Sequence, residues 1–189
     1  MAEYNYTDSY INNSSVRFLG EMGPNLIKII KKLLQNQELL RYLYYTDKDP
    51  LKKAVYDEHD ELIDGHPDVT DKMAYGHGDD SVVRIIPVVG TMDDSRSIIT
   101  LRVLRGIPSN DNNEFLDIYF SIEIFVPNEE WIIKGDNLRP YAIMGEVQRS
   151  LEGKRINGLG EIRGSGFAVN FFTEEISAFI MNYRITQYN

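Results

Sequence analysis

Residues 115–126, Phe-Leu-Asp-Ile-Tyr-Phe-Ser-Ile-Glu-Ile-Phe-Val, constrain this chain more than any other stretch. Taken every second residue, Leu116, Ile118, Phe120, Ile122, Ile124 and Val126 form an unbroken apolar row. The other row carries Asp117, Ser121 and Glu123 between aromatic residues. Side chains alternate across a strand, so the pattern predicts one buried face and one mostly wet face. Its β-branched and aromatic content suits a pleated sheet, and its length exceeds that of a marginal edge fragment. The rest of the chain must supply that sheet with partners and a cover.

Candidate partners follow the same logic. Strands are predicted at Ser81–Val89 and Ser97–Arg105, joined by a turn at 90–94, with Ile99, Leu101 and Val103 facing one way. Two more, at about Glu161–Phe171 and Ile176–Thr186, flank the Thr173-Glu174-Glu175 turn. Phe179, Met181, Tyr183 and Ile185 give the last strand its buried row. A helix is predicted from Gly23-Pro24-Asn25 to about Tyr45, with Leu26, Ile29, Ile30, Leu33, Leu34, Leu40 and Leu43 at helical spacing and the lysines on a solvated face. A second runs from Leu138 to about Glu152, capped by Asp136 or Asn137 and closed at Gly153, with Leu138, Tyr141, Met144, Val147 and Leu151 on its buried face. Short turns between successive strands imply an α+β domain. It has an antiparallel sheet of about five strands, with the N-terminal helix and a second helix packed on one face.

Two segments fall outside this pattern. Residues 1–20 are rich in Tyr, Asn and Ser and read as an arm, a loose terminus unless a partner orders it. Its spaced tyrosines, Tyr4, Tyr6 and Tyr10, suit docking on a neighbouring subunit. Residues 21–189 then form a single domain. Within it, residues 57–80 hold nine acids against Lys72 alone and read as a long, mobile acidic loop.

Composition excludes several classes. The 189 residues contain no cysteine, which removes disulfides, thiolate metal sites and cysteine nucleophiles. The net charge is −9, and no basic stripe of the kind carried by sequence-specific DNA binders is present. No apolar run approaches the roughly 18 residues of a membrane span, and Met1-Ala2-Glu3-Tyr4 does not begin a signal peptide.

The acidic loop contains the one cluster with potential chemistry: Asp57-Glu58-His59-Asp60-Glu61 with His66, His77, Asp79 and Asp80. Histidines beside carboxylates bind zinc or activate water, and a small metal-dependent hydrolase is the enzymatic alternative. Their spacing follows no helical metal motif, so solvated charge is the default. Gly158-Leu159-Gly160 and Gly164-Ser165-Gly166 follow a helix instead of opening one, the wrong order for a phosphate cradle. The expectation is a non-enzyme with no cofactor and no metal. A monomeric module that recruits a partner through the N-terminal arm is a further alternative.

The segment Asn137-Leu138-Arg139-Pro140 through Gly145-Glu146-Val147-Gln148, then Leu151-Glu152-Gly153-Lys154-Arg155-Ile156-Asn157-Gly158-Leu159-Gly160, has a particular form. It is a helix ending in a glycine-punctuated linker before a terminal two-stranded unit. With the long alternating strand before it, residues 81–189 resemble the tail-terminator and head–tail connector (neck) proteins of tailed bacteriophages. The resemblance implies a structural virion protein, made in the host cytoplasm, that forms a hexameric or dodecameric ring at the capsid–tail junction. Its neighbours would be portal or adaptor and tail-tube proteins, and DNA would pass its lumen without sequence-specific binding. The acidic 57–80 loop would face the lumen or contact the next ring, and Lys154 and Arg155 in the linker would contact other subunits.

Overall fold

The computed structural model describes residues 13–75, 81–85, 96–108, 115–156, 159–171 and 173–188. It opens with two helices, α1 (Asn13–Leu34) and α2 (Gln37–Tyr44), where the periodicity predicts one. Pro24 lies inside α1, so it interrupts the hydrogen-bond ladder without starting the helix, and residues 13–20 of the predicted arm are helical. The break comes instead at Asn36. Its backbone is extended (φ −96°, ψ 97°), and its Oδ1 accepts the Leu39 N–H at 3.1 Å. That bond satisfies a donor that the first turn of a helix otherwise leaves orphaned.

The predicted acidic loop contains ordered structure. Strands β1 (Val55–Tyr56) and β2 (Leu62–Asp64) pair as an antiparallel hairpin, and a single helical turn, α3 (Asp71–Ala74), follows. At the hairpin base Lys52 pairs with Asp64, and the His66 ring stacks on Tyr45 with centroids 3.9 Å apart. Beyond it, Gly65 (φ +87°) passes so close to the backbone that a Cβ there would sit 1.9 Å from the Lys53 carbonyl oxygen.

The main sheet contains β3 (Val83–Arg84), β4 (Ile98–Pro108) and β5 (Phe115–Pro127). After a short 3-10 turn come the small pair β6 (Ile132–Ile133) and β7 (Asn137–Leu138), then helix α4 (Arg139–Leu151). Strands β8 (Ile162–Phe171) and β9 (Ile176–Tyr188) complete the sheet, in the spatial order β3-β4-β5-β9-β8. The fold is α+β, with β5 at the centre of five strands. One pairing departs from expectation. β3, two residues of the predicted Ser81–Val89 strand, runs parallel to β4, in register Val83 with Ile99, where the sequence predicts an antiparallel pairing; residues 86–89 and the predicted turn at 90–94 lie outside the described residues.

Helix α4 packs on β5 and β8 and touches α1 and α2, so the helices cover one side of the sheet. Phe120, Ile122, Ile124, Val126, Phe179 and Tyr183 are buried beneath them, and the Phe120 and Tyr183 rings stack at 5.4 Å. The buried face of α4 is rotated from the predicted one: Ile143 joins Met144, Val147 and Leu151, while Tyr141 is 48% exposed. Its N-cap is Leu138, whose apolar side chain has no acceptor to offer, and Asn137 Oδ1 accepts the Leu138 N–H.

The opposite side of β5 is not wet. Asp117, Ser121 and Glu123 are all buried, and the two carboxylates are held by cross-strand partners that the sequence alternation cannot display. Thr186 Oγ1 donates to Asp117 at 2.6 Å, and Arg102 pairs with Glu123.

Candidate functional site

The sheet has two edges, and each leaves backbone uncovered among the described residues. On one side β8 pairs only with β9. Every residue from Arg163 to Asn170 is exposed, including Phe167 and Val169, which lie opposite the buried Met181 and Phe179. Glu152 accepts the Gly164 N–H at 2.8 Å and covers the edge at that end, while a register shift between Gly164 and Gly166 marks a bulge. The open stretch is therefore Gly166–Asn170. On the other side β3 covers Ile99 and Thr100, and among the described residues nothing pairs with that edge of β4 from Leu101 to Pro108. It carries the exposed Leu104 and its own register shift between Val103 and Arg105. Unpaired strand edges template pairing with another chain, and bulges restrict where such pairing can occur.

The face turned away from the helices carries charge in a defined pattern. Strand register places Arg105, Tyr119, Arg184 and Arg163 in one row across β4, β5, β9 and β8. Arg105 lies over the Tyr119 ring at 4.5 Å. Arg184 and Arg163 stand directly opposite each other, an arrangement that disfavours the sheet unless counter-charge is supplied. Asp117 lies 3.9 Å from Arg184 and Glu161 lies 3.2 Å from Arg163, and the Arg163 and Arg184 side chains remain 64% and 44% exposed.

The β1–β2 hairpin is the acidic counterpart. Its tip is closed by Asp57, whose Oδ1 accepts the His59 and Glu61 N–H groups at 2.8 Å each. Asp60 takes a left-handed backbone (φ 60°), which a short polar side chain tolerates. Glu58, Asp60 and Glu61 are left projecting to solvent. Behind the tip, Val55, Tyr56, Leu62 and Ile63 are all exposed, an apolar stem with nothing packed over it among the described residues.

The sequence-predicted site residues are distributed as follows. Tyr4, Tyr6 and Tyr10 lie outside the described residues, as does His77. Lys154 and Arg155 are exposed in the link after α4, where Arg155 bridges to Glu161 and reaches its carboxylate at 4.0 Å. His59 is exposed at the hairpin tip, and His66 lies against Tyr45 with its Nε2 2.6 Å from Asp47 Oδ2. Among the described residues no three histidine or acidic side chains come together as metal ligands do. A groove of about 540 Å³ beside α2 is lined by Gln37, Glu38, Arg41, Leu51 and Asp68 among others. Its arginine is already committed, to Asp68 Oδ1 at 2.7 Å and the Lys52 carbonyl at 2.9 Å.

Sequence reasoning missed a buried polar clamp. Arg139 is wholly buried and spends its guanidinium on five backbone carbonyls, those of Glu130, Tyr42, Tyr45, Thr46 and Asp47, at 2.5–3.2 Å. It ties the C-terminal end of α2 to the start of α4. Beside it Glu130 accepts from Ser97 Oγ at 3.2 Å, and burial pushes its carboxyl up to about 7, outweighing the attraction of Arg139. Asn36 makes a second tie. Besides capping α2 it donates to Glu146 Oε2 at 2.9 Å and Ser150 Oγ at 3.0 Å on α4.

No helix among the described residues is long and apolar enough to cross a membrane. No curated protein matches the sequence. A family model, that of YomW, matches residues 36–184. The matched span begins at the asparagine that caps α2 and ends at the β9 arginine of the basic row, so it takes in both polar ties, the acidic hairpin and almost all of the sheet. The chain belongs to the YomW family, a phage-associated family.

Proposed function

We propose that this chain is a structural phage protein that assembles with copies of itself, edge to edge, into a ring at the capsid–tail junction of the virion. The observation that carries this reading is the pair of open sheet edges. Gly166–Asn170 on β8 and Leu101–Pro108 on β4 lie at opposite edges of one sheet, each without an outer partner among the described residues. An edge on one subunit that pairs with the other edge on the next is a head-to-tail contact, and such contacts repeat until the ring closes. Strand addition supplies main-chain hydrogen bonds, and the exposed Phe167, Val169 and Leu104 supply apolar area beside them. Membership of a phage-associated family and the neck-protein resemblance of residues 81–189 support the same reading.

Sedimentation and light scattering of the purified protein, alone and with the neighbouring structural proteins of the same phage, test it. Wild-type protein is expected to enter a multimer of defined size. Val169→Lys, which sets a charge on the exposed edge without touching the core, is expected to remain monomeric with an unchanged circular dichroism spectrum. Equal assembly of wild type and variant would remove the β8 edge from the account.

A further inference from the structure

The acidic hairpin and the arginine row are two surfaces of one chain that answer each other, and no ion pair joins them within a single copy among the described residues. We infer that the β1–β2 hairpin of one copy docks on the Arg105–Tyr119–Arg184–Arg163 row of an adjacent copy, as a second contact between assembled subunits. This rests on the self-assembly reading above and names a contact within it.

Three features converge on this pairing. The first is charge. Glu58, Asp60 and Glu61 project from a tip that the Asp57 bonds already hold closed, so little ordering is needed on docking. The row presents three guanidinium groups; among the described residues Glu161 pairs with Arg163 and Asp117 with Arg184, while Arg105 lies over the Tyr119 ring. The second is apolar area. An isolated two-stranded hairpin is marginal in water, yet this one exposes Val55, Tyr56, Leu62 and Ile63. The receiving face offers Tyr119 within the row and, four residues along β9 from Arg184, Ile180 on the same side of the sheet. The third is the opposed Arg163–Arg184 pair, each member of which has one carboxylate beside it and stays partly exposed, so an incoming carboxylate meets guanidinium that is not enclosed. Neighbouring strands lie about 4.8 Å apart, so the row runs roughly 14 Å from β4 to β8, wide enough for the side chains of a hairpin tip.

Charge reversal tests the contact directly. Two variants are made, Glu58→Arg with Glu61→Arg on the hairpin and Arg105→Glu with Arg163→Glu on the row, all at exposed positions. Each alone is expected to weaken self-association by about tenfold or more at low salt, with the loss shrinking as salt is raised. Mixing the two variants is expected to restore assembly, because each then meets the opposite charge it now requires. Hairpin-reversed protein that assembles like wild type would overturn the inference. So would row-reversed protein that assembles normally but loses binding to a DNA duplex, which would assign the row to nucleic acid. The edge variant Val169→Lys serves as the control. If it stays monomeric while both charge variants assemble as wild type does, the edge reading stands and the hairpin contact fails. If wild type itself never assembles, both fail.

Discussion

Glu130 and Arg139 lie side by side in the core, with Oε2 and Nε 3.7 Å apart, yet neither takes its main bonds from the other. The arginine is held by carbonyls, and the glutamate by Ser97 at one oxygen, while its Oε1 has no hydrogen-bond partner. Burial therefore decides the charge state of the carboxyl, and it lies well above the ordinary value. Two consequences follow, one for pH and one for substitution.

The pH consequence has a definite sign. Glu130 titrates near 4.5 when unfolded and at about 7 when folded. Between those values the folded state holds a proton that the unfolded state has lost, so stability falls as pH rises from about 4.5 through 7 and then levels off. The ceiling on this contribution is about 3 kcal/mol, from a shift worth about 1.4 kcal/mol per unit. Denaturant unfolding at a series of pH values, comparing wild type with Glu130→Gln, isolates it. The variant is expected to gain on wild type as pH rises across this window; parallel curves would contradict the assignment.

Substitution at Arg139 is expected to be severe even when charge is kept. A lysine has three donors on one nitrogen and cannot reach the five carbonyls that the guanidinium fork spans. Arg139→Lys leaves buried carbonyls unpaired, at a cost of about 3–5 kcal/mol, and is expected to lower Tm on the order of 10 °C by calorimetry. A drop of a degree or two would mean that the clamp contributes little.

The order of the 55–66 segment can be checked at Gly65. Its φ of +87° and the 1.9 Å approach of a built Cβ to the Lys53 carbonyl leave no room for a side chain. Gly65→Ala is expected to open the hairpin base, seen as faster hydrogen exchange at the His66 N–H, which donates to Lys52 at 3.0 Å. Unchanged exchange would favour the loose loop that composition alone suggests.

That contrast shows what the sequence could and could not carry. β5, β8 and β9 were legible because long alternation specifies both strand type and register face, and the buried row Phe179, Met181, Tyr183 and Ile185 appears as read. The hairpin at 55–64 was not, since each of its strands is two or three residues long and is held by Lys52–Asp64 pairing and the Tyr45–His66 stack, contacts between residues far apart in period. Asp117 and Glu123 find partners on β9 and β4, so a polar row that reads as wet is dry. Arg139 reads from sequence as an ordinary first-turn helix residue, because nothing local announces that five carbonyls converge on it. The candidate contact surfaces were legible only in part. Lys154 and Arg155 are exposed. The arginine row and the open edges exist only once strand order and register are known.

The proposed assembly runs through the sheet edges into a ring on a phage particle. Electron microscopy of the purified protein mixed with the portal, adaptor and tail-tube proteins of the same phage tests it most directly. The account predicts closed rings, or added density at the head–tail junction, absent when Val169→Lys replaces wild type. A protein that stays monomeric in every mixture and adds density to no particle would contradict it.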